Sequence, residues 1–291
     1  MTFRSLEYAS REGFWDVWFK EVHGGQAGFT FKVKKIIHSG ESGLQRIDIF
    51  DTYGLGKVLV MYGSIMITER DQFVYHEMLA HVSSYVHPAP RRVLIIGGGD
   101  GGTLREFCRH PVQRVTMVEI DRQVVELCRE HFPDHHGFDD GRADLVFADG
   151  AGYVSKSDET FDIIAIDSAD PVPPADVLFE RTFFENCRRR LGEGGVLVAQ
   201  TESPFLNPDV IGRVYETLRG VFKIVRMYTA VIPTYPGALW SFAFCSDSLD
   251  PLEHLDEARI VQQALPMSYY NASIHRAAFA LPAFVERIVS R

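Results

Sequence analysis

Five short apolar runs recur at regular intervals from residue 93 onward, and acids stand at or just past the end of each. They are VLIIGG (93–98), VTMVEID (115–121), ADLVFADG (143–150), FDIIAIDS (161–168) and GVLVAQTES (195–203). Between them lie the helical patterns LREFCRH, RQVVELCREHF and FERTFFENCRRRL. A strand that is apolar throughout is buried on both faces, and helical crossovers are what cover both faces of a parallel sheet. The pattern predicts an α/β fold with a mostly parallel, doubly wound sheet.

Upstream the texture differs. FTFKVKKIIHSG, LQRIDIFDT, GKVLVMYG and SIMIT, within residues 29–68, alternate and break at glycines, which predicts short antiparallel strands. The period becomes helical at Arg70. The chain therefore divides into a small N-terminal β domain, residues 1–69, and a catalytic domain, residues 70–291.

Ligands of open α/β sheets bind at the carboxyl ends of the strands. There the chain places Asp100, Glu119, Asp121, Asp149, Asp167, Asp170 and Glu202. Asp121 and Asp170 fit ordinary helix N-caps, but so many carboxylates in one crevice raise one another's pKa unless cations or hydroxyl donors occupy it. GGGDGG (97–102), opening a helix near Thr103, presents backbone N–H groups that would attract phosphate. Asp100 inside that turn repels phosphate. The interval from Gly97 to Glu119, about two dozen residues, puts an acid on the hydroxyls of a ribose. A phosphate-free nucleoside carrying positive charge, such as an S-adenosyl sulfonium compound, meets these demands, and NAD does not.

A net charge of −9 argues against nucleic acid or an anionic membrane surface as partner. The four cysteines, Cys108, Cys128, Cys187 and Cys245, are far apart and read as buried thiols, and no spacing predicts a metal site. His135 and His136 lie in the polar stretch PDHHGFDDGR, read as a solvated loop. The first residues lack the apolar core of a secretory signal, so a cytoplasmic location is expected.

Longer stretches are more specific: WFKE (18–21), TERDQFVYHEML (68–79), VLIIGGGDGGTLRE (93–106), DSADP (167–171), AQTES (199–203), IPTYP (232–236) and YYNASIHRAAFALP (269–282). In these, nearly end to end and in order, the chain resembles the spermidine synthase, or polyamine aminopropyltransferase, family. The resemblance implies a methyltransferase-like Rossmann domain preceded by a small antiparallel β domain, a homodimer or homotetramer and no cofactor, with decarboxylated S-adenosylmethionine as co-substrate. It assigns Asp100 to the aminopropyl end of that donor, Glu119 to the ribose, Asp149 and Gly150 to the adenine edge, and Gln45, His76 and Gly97 to the same pocket. Asp167 matches the base that takes the proton of the acceptor amine, with Tyr75 orienting it. Asp170, Gln200 and Tyr235 hold the rest of the acceptor, and Trp18 covers its methylenes. The segment 170–179 is read as a lid.

Putrescine is the first acceptor implied, with cadaverine, 1,3-diaminopropane and agmatine as alternatives. An amine N-methyltransferase and a non-catalytic scaffold are the readings from other classes; Asp100 speaks against the first, and Asp100, Asp167 and Tyr75 together speak against the second. The chain departs from the family's pattern at Arg46, Tyr62, Met66 and Pro173. If Tyr62 and Met66 line the pocket, its wall is less acidic than a second ammonium requires.

Overall fold

The computed structural model describes residues 7–11, 14–23, 25, 27–168 and 175–290. Two sheets make the frame. The first is a six-stranded antiparallel meander of β1 (Glu7–Arg11), β2 (Phe14–His23), β3 (Ala27–Glu41), β4 (Arg46–Thr52), β5 (Lys57–Met61) and β6 (Ser64–Thr68). It begins earlier than the alternation at residue 29 indicates, since WFKE lies on β2. Phe19, Phe31, Phe50, Val58 and Val60 form the apolar core of this sheet.

The second sheet has seven strands in the order β12-β13-β11-β10-β7-β8-β9. Its parallel members are β7 (Arg92–Gly97), β8 (Arg114–Glu119), β9 (Ala143–Phe147), β10 (Phe161–Asp167) and β11 (Leu191–Gln200). These are the five predicted runs. The last two strands, β12 (Ile224–Val231) and β13 (Leu239–Ser246), were not singled out by the sequence, and β13 runs antiparallel to both of its neighbours. Helices α2 (Gly102–Cys108), α3 (Arg122–His131), α4 (Gly150–Lys156) and α5 (Arg181–Arg190) connect the parallel strands. Beyond them come α6 (Pro208–Arg219), α7 (Glu257–Gln263), α8 (Ala272–Ala278) and α9 (Ala283–Val289).

Helix α1 (Gln72–Val86) joins the sheets and is buried along nearly its whole length. Ile47, Ile49, Leu59 and Ile67 of the first sheet share one core with Val74, Met78, Leu79 and Val82 of α1 and with Val93, Ile95, Ile163 and Val196 of the second. Side chains on two of its faces are therefore held rigidly between the layers. Polar anchors fix its N-terminus and its middle. Asp71 accepts from Thr234 N and Oγ1, at 3.0 and 2.7 Å. Glu77 accepts from the backbone N–H groups of Ser268, Tyr269 and Tyr270, at 2.7–2.8 Å. The stretches IPTYP and YYNAS are thus clamped to the helix that carries YHEM.

The polar stretch after α3 is not the solvated loop its composition suggests. His135 Nδ1 meets Gln72 Nε2 at 3.1 Å, and His136 stacks on Phe138. All four cysteines are buried free thiols. Among the described residues no helix is long and apolar enough to cross a membrane.

Candidate active site

The glycine turn lays the end of β7 against the end of β10. Gly97 has φ +83°, and a Cβ there would stand 2.2 Å from the Asp167 carbonyl oxygen, so only glycine fits. Gly98 N donates to that carbonyl at 2.8 Å. Asp167, the last residue of β10, is thereby fixed beside the turn that carries Asp100.

The second close approach is between helices. A Cβ on Gly102 would lie 2.2 Å from the His76 ring, so α2 can rest on α1 only through glycine. His76 Nε2 then stands 3.1 Å from Asp100 Oδ1. That contact is an ion-pair approach rather than an aligned hydrogen bond, since Nε2 has no partner with hydrogen-bond geometry. Asp100 Oδ1 also accepts from Gly102 N at 2.7 Å.

The remaining nucleoside-side residues gather round this turn. Glu119 ends β8, is buried, and accepts from Asp121 N at 2.8 Å. Asp121 caps α3 as expected, accepting from Gln123 N. Its other oxygen receives Ser42 Oγ at 2.6 Å and Gln45 Nε2 at 2.8 Å. Gln45 therefore reaches across from the β3–β4 turn and is held one residue pair away from Glu119. Asp149 caps α4 through Gly152 N, and Gly150 is the first residue of that helix.

Against Tyr75 and Ser168, the residue that follows Asp167, lies a cavity of about 60 Å³. Tyr75, Gln200, Tyr235, Trp240, Met66 and Ser168 are among its walls, with Glu21, His23 and Glu202. Tyr75 OH donates to Asp167 Oδ1 at 2.7 Å, while Asp167 Oδ2 is buried without a hydrogen bond. Tyr235 OH donates to the Met66 carbonyl at 2.6 Å. Gln200 Nε2 donates to Ser168 O at 3.1 Å, and its Oε1 accepts from Glu202 N at 3.1 Å.

Two acids of this cavity were not assigned a role from sequence. Glu21 is buried, 3.2 Å from His23 Nε2, with one carboxylate oxygen unpaired. The signal was present in WFKE, since residues two apart on a strand share a face and Phe19 is buried. Trp18, on the opposite face of β2, is 38% exposed and is not among the described residues lining the cavity. Glu202 sits just past the end of β11 with φ +75°, a conformation disfavoured outside glycine, and accepts from Asn207 Nδ2 at 2.8 Å.

The departures from the family's pattern resolve differently. Met66 lines the cavity. Tyr62 occupies the two-residue turn between β5 and β6 with φ +48°, and its hydroxyl donates to the Leu44 carbonyl, so it is not a described wall of the cavity. Arg46 pairs with Asp48 at 2.9 Å and with Ser39, on the outside of the sheet. The expectation of an acid-poor wall is corrected by Glu21 and Glu202. Asp170 and Pro173 lie outside the described residues, as does the first half of the segment read as a lid; its second half, Ala175–Phe179, is a 3-10 turn.

The electrostatics follow from burial. Burial pushes the Asp167 carboxyl up to about 6, with nearby Asp100 adding to the rise and His76 opposing it. Burial likewise pushes Glu119 up to about 7. Asp100 goes the other way: its burial is outweighed by the His76 ring and the Gly102 N–H, which hold it below the ordinary carboxylate value. Among the described residues no cluster fits a metal ion.

The fold and site define a Rossmann-type transferase with buried acids gathered at the carboxyl ends of its strands. Residues 72–256 match the spermine/spermidine synthase domain, and residues 17–69 match the spermidine synthase tetramerisation domain. The polyamine aminopropyltransferase of Caldicellulosiruptor saccharolyticus is 42% identical over 276 residues, 94% of this chain and 98% of that one. That of Desulforudis audaxviator is also 42% identical, over 92% of this chain and 98% of its own. A spermidine synthase crystallised with the transition-state analogue AdoDATO superposes with a TM-score of 0.92 at 41% identity, covering 99% of this chain and 98% of that one. The spermidine synthase of Thermotoga maritima gives 0.90 at 40% identity, covering 99% and 97%. The chain belongs to the spermine/spermidine synthase family.

Proposed function

We propose that this protein is a polyamine aminopropyltransferase that moves the aminopropyl group of decarboxylated S-adenosylmethionine to a diamine, putrescine first, giving spermidine and methylthioadenosine. The observation that carries this reading is the arrangement about Asp167: a buried carboxylate at the junction of an Asp100–Glu119 side and a cavity walled by two further acids. A donor with an ammonium and no carboxylate suits Asp100, and a ribose diol suits Glu119. The acceptor amine attacks the propyl carbon bonded to sulfur, and that carbon–sulfur bond breaks as the carbon–nitrogen bond forms. An alkyl ammonium, with a pKa near 10 by analogy with lysine, must first lose a proton to be nucleophilic. Asp167 Oδ2, unpaired and buried, is the base for that proton, while Tyr75 holds Oδ1 and sets the carboxylate's rotation. The second ammonium of a diamine then reaches Glu21 and Glu202.

The N-terminal sheet is the oligomerisation element of this reading. It exposes Trp18, Val22, Ile36, Leu44, Tyr53 and Tyr62, apolar area that a second copy would cover in a homotetramer. Product analysis by mass spectrometry, with decarboxylated S-adenosylmethionine and putrescine, tests the proposal. Spermidine and methylthioadenosine are expected in equal amounts. Methylated diamine from S-adenosylmethionine instead, or no product with any diamine, overturns it.

A further inference from the structure

Gln72 is buried on the first turn of α1, one turn before His76, and its amide is polarised by three neighbours. Its Oε1 lies 2.6 Å from His76 Nδ1 and 3.3 Å from an Arg105 guanidinium nitrogen. Its Nε2 lies 3.1 Å from His135 Nδ1. A guanidinium only donates, so the oxygen must be the atom facing Arg105. The same oxygen must then accept from His76, which fixes the proton on Nδ1. His135 Nδ1 in turn accepts from the amide N–H, so that ring is neutral.

The consequence falls on Nε2. With Nδ1–H committed to Gln72, a neutral His76 would present the Nε2 lone pair to Asp100 Oδ1 at 3.1 Å, two electron-rich atoms in contact in a buried site. A proton on Nε2 removes the repulsion. The charged groups facing the ring are Asp100 and Arg105, from the glycine turn and α2, and Asp167 from the end of β10, while Tyr75 lies edge-on at 5.5 Å. Glu69 and Asp134 act on the His135 end of the chain. Two carboxylates against one guanidinium favour the imidazolium, and its pKa is raised despite burial.

A donor ammonium placed on Asp100 reverses that balance. Asp100 Oδ1 is already engaged by Gly102 N, and a second cation beside the imidazolium would share one carboxylate. A neutral His76, still held by Gln72 through Nδ1–H, instead offers Nε2 as an acceptor to the incoming ammonium. We propose that Gln72 is a positioning residue that fixes the His76 tautomer, so that His76 gives up its Nε2 proton when the donor's ammonium arrives and becomes, with Asp100, the second acceptor for it. The proposal rests on the donor assigned above. It makes donor binding release a proton to solvent, and it makes apparent donor affinity rise with pH through the titration of His76 in the free site.

The experiment is titration calorimetry of the full-length protein with decarboxylated S-adenosylmethionine, near neutral pH, in buffers of different ionisation enthalpy. The expected slope corresponds to net proton release that is larger in the parent than in a protein whose residue 76 cannot titrate. His76→Gln and Gln72→Met should bind with a smaller buffer dependence than the parent, the first because residue 76 no longer titrates; the remainder comes from Glu119 and Asp167. In the second, the ring is free to carry its proton on Nε2 as a neutral group. Imidazole nitrogen NMR of the parent protein reads the tautomer directly: imidazolium when empty, neutral Nδ1–H when the donor is added. A parent slope no larger than that of His76→Gln, or a neutral Nε2–H ring in the parent's bound state, overturns the inference while leaving the donor assignment standing. Failure of the donor to bind overturns the donor assignment instead.

Discussion

The Tyr75 hydroxyl donates to Asp167 Oδ1 at 2.7 Å, joining the first turns of the buried helix to the end of a central strand 92 residues away. This bond stabilises the ionised carboxylate, whereas burial and Asp100 oppose ionisation, and the outcome is a carboxyl titrating at about 6. A base must be deprotonated to work, so kcat/KM should fall as pH drops through about 6. Tyr75→Phe removes a contribution that lowers the pKa, and the acid limb of kcat/KM should shift to higher pH. Asp167→Asn should cost on the order of 10²-fold or more in kcat, with partial rescue at high pH, where more of the acceptor amine is already neutral. A pH–rate profile of the three proteins checks both effects; an unshifted limb in Tyr75→Phe would remove the orienting role.

Donor choice should depend on Asp100. S-adenosylmethionine carries a carboxylate that Asp100 opposes in a site of low effective dielectric, while the decarboxylated compound offers only cationic groups. Asp100→Asn should weaken binding of decarboxylated S-adenosylmethionine by about 2 kcal/mol, roughly thirtyfold, and leave S-adenosylmethionine nearly unchanged. Calorimetric titration of both ligands against both proteins measures the difference. Equal losses for the two ligands would show that the aspartate does not read the carboxyl group.

Glu119 should limit stability in the empty protein. Its folded-state pKa, about 7, lies above the ordinary 4.5, so the stability linked to its neutral form is complete below about 4.5 and is lost as pH rises through about 7. Glu119→Gln keeps the group neutral at every pH. The variant should melt a few degrees above the parent at pH 8 and close to it at pH 5, while donor affinity falls. Thermal melts at the two pH values decide this, and an equal Tm at pH 8 would mean that the buried charge is already compensated.

The sequence revealed the sheet and the glycine turn with its strand-end acids because both are local in the chain. A strand, a glycine turn and an acid follow one another, so Gly97, Asp100 and Glu119 could be placed from spacing alone. The cavity is assembled from β2, β6, α1, β11 and the loop before β13, and no spacing links Glu21 to Glu202. Glu202 stands among the strand-end acids legible in the sequence, whereas Glu21 is visible only once strand alternation on β2 is known, and the left-handed backbone at Glu202 only in the fold. The antiparallel β13 escaped because LWSFAFCS is apolar without the following helix that marks a parallel unit. The polar loop at His135 misled for a related reason, since its burial comes from Gln72 and Arg105, distant in sequence.

Acceptor recognition should divide between those two acids and Met66. Glu21 has an unpaired buried oxygen, while Asn207 Nδ2 donates to the Glu202 carboxylate and the Gln200 side-chain oxygen accepts from Glu202 N, so both carboxylates are set for the ammonium remote from the attacking amine. Glu21→Gln and Glu202→Gln keep the shape and remove the charge. Each should raise KM for putrescine about tenfold or more while changing kcat less, because the interaction is made equally in the ground and transition states. Met66 contributes its carbonyl to Tyr235 and its side chain to the apolar wall, so Met66→Gln should preserve the fold and alter the ranking among putrescine, cadaverine and 1,3-diaminopropane. Values of kcat/KM for these diamines, measured in competition, separate the contributions. If neither carboxylate variant changes KM for putrescine, the remote ammonium does not lie in this cavity; if Met66→Gln leaves the ranking intact, chain length is read elsewhere.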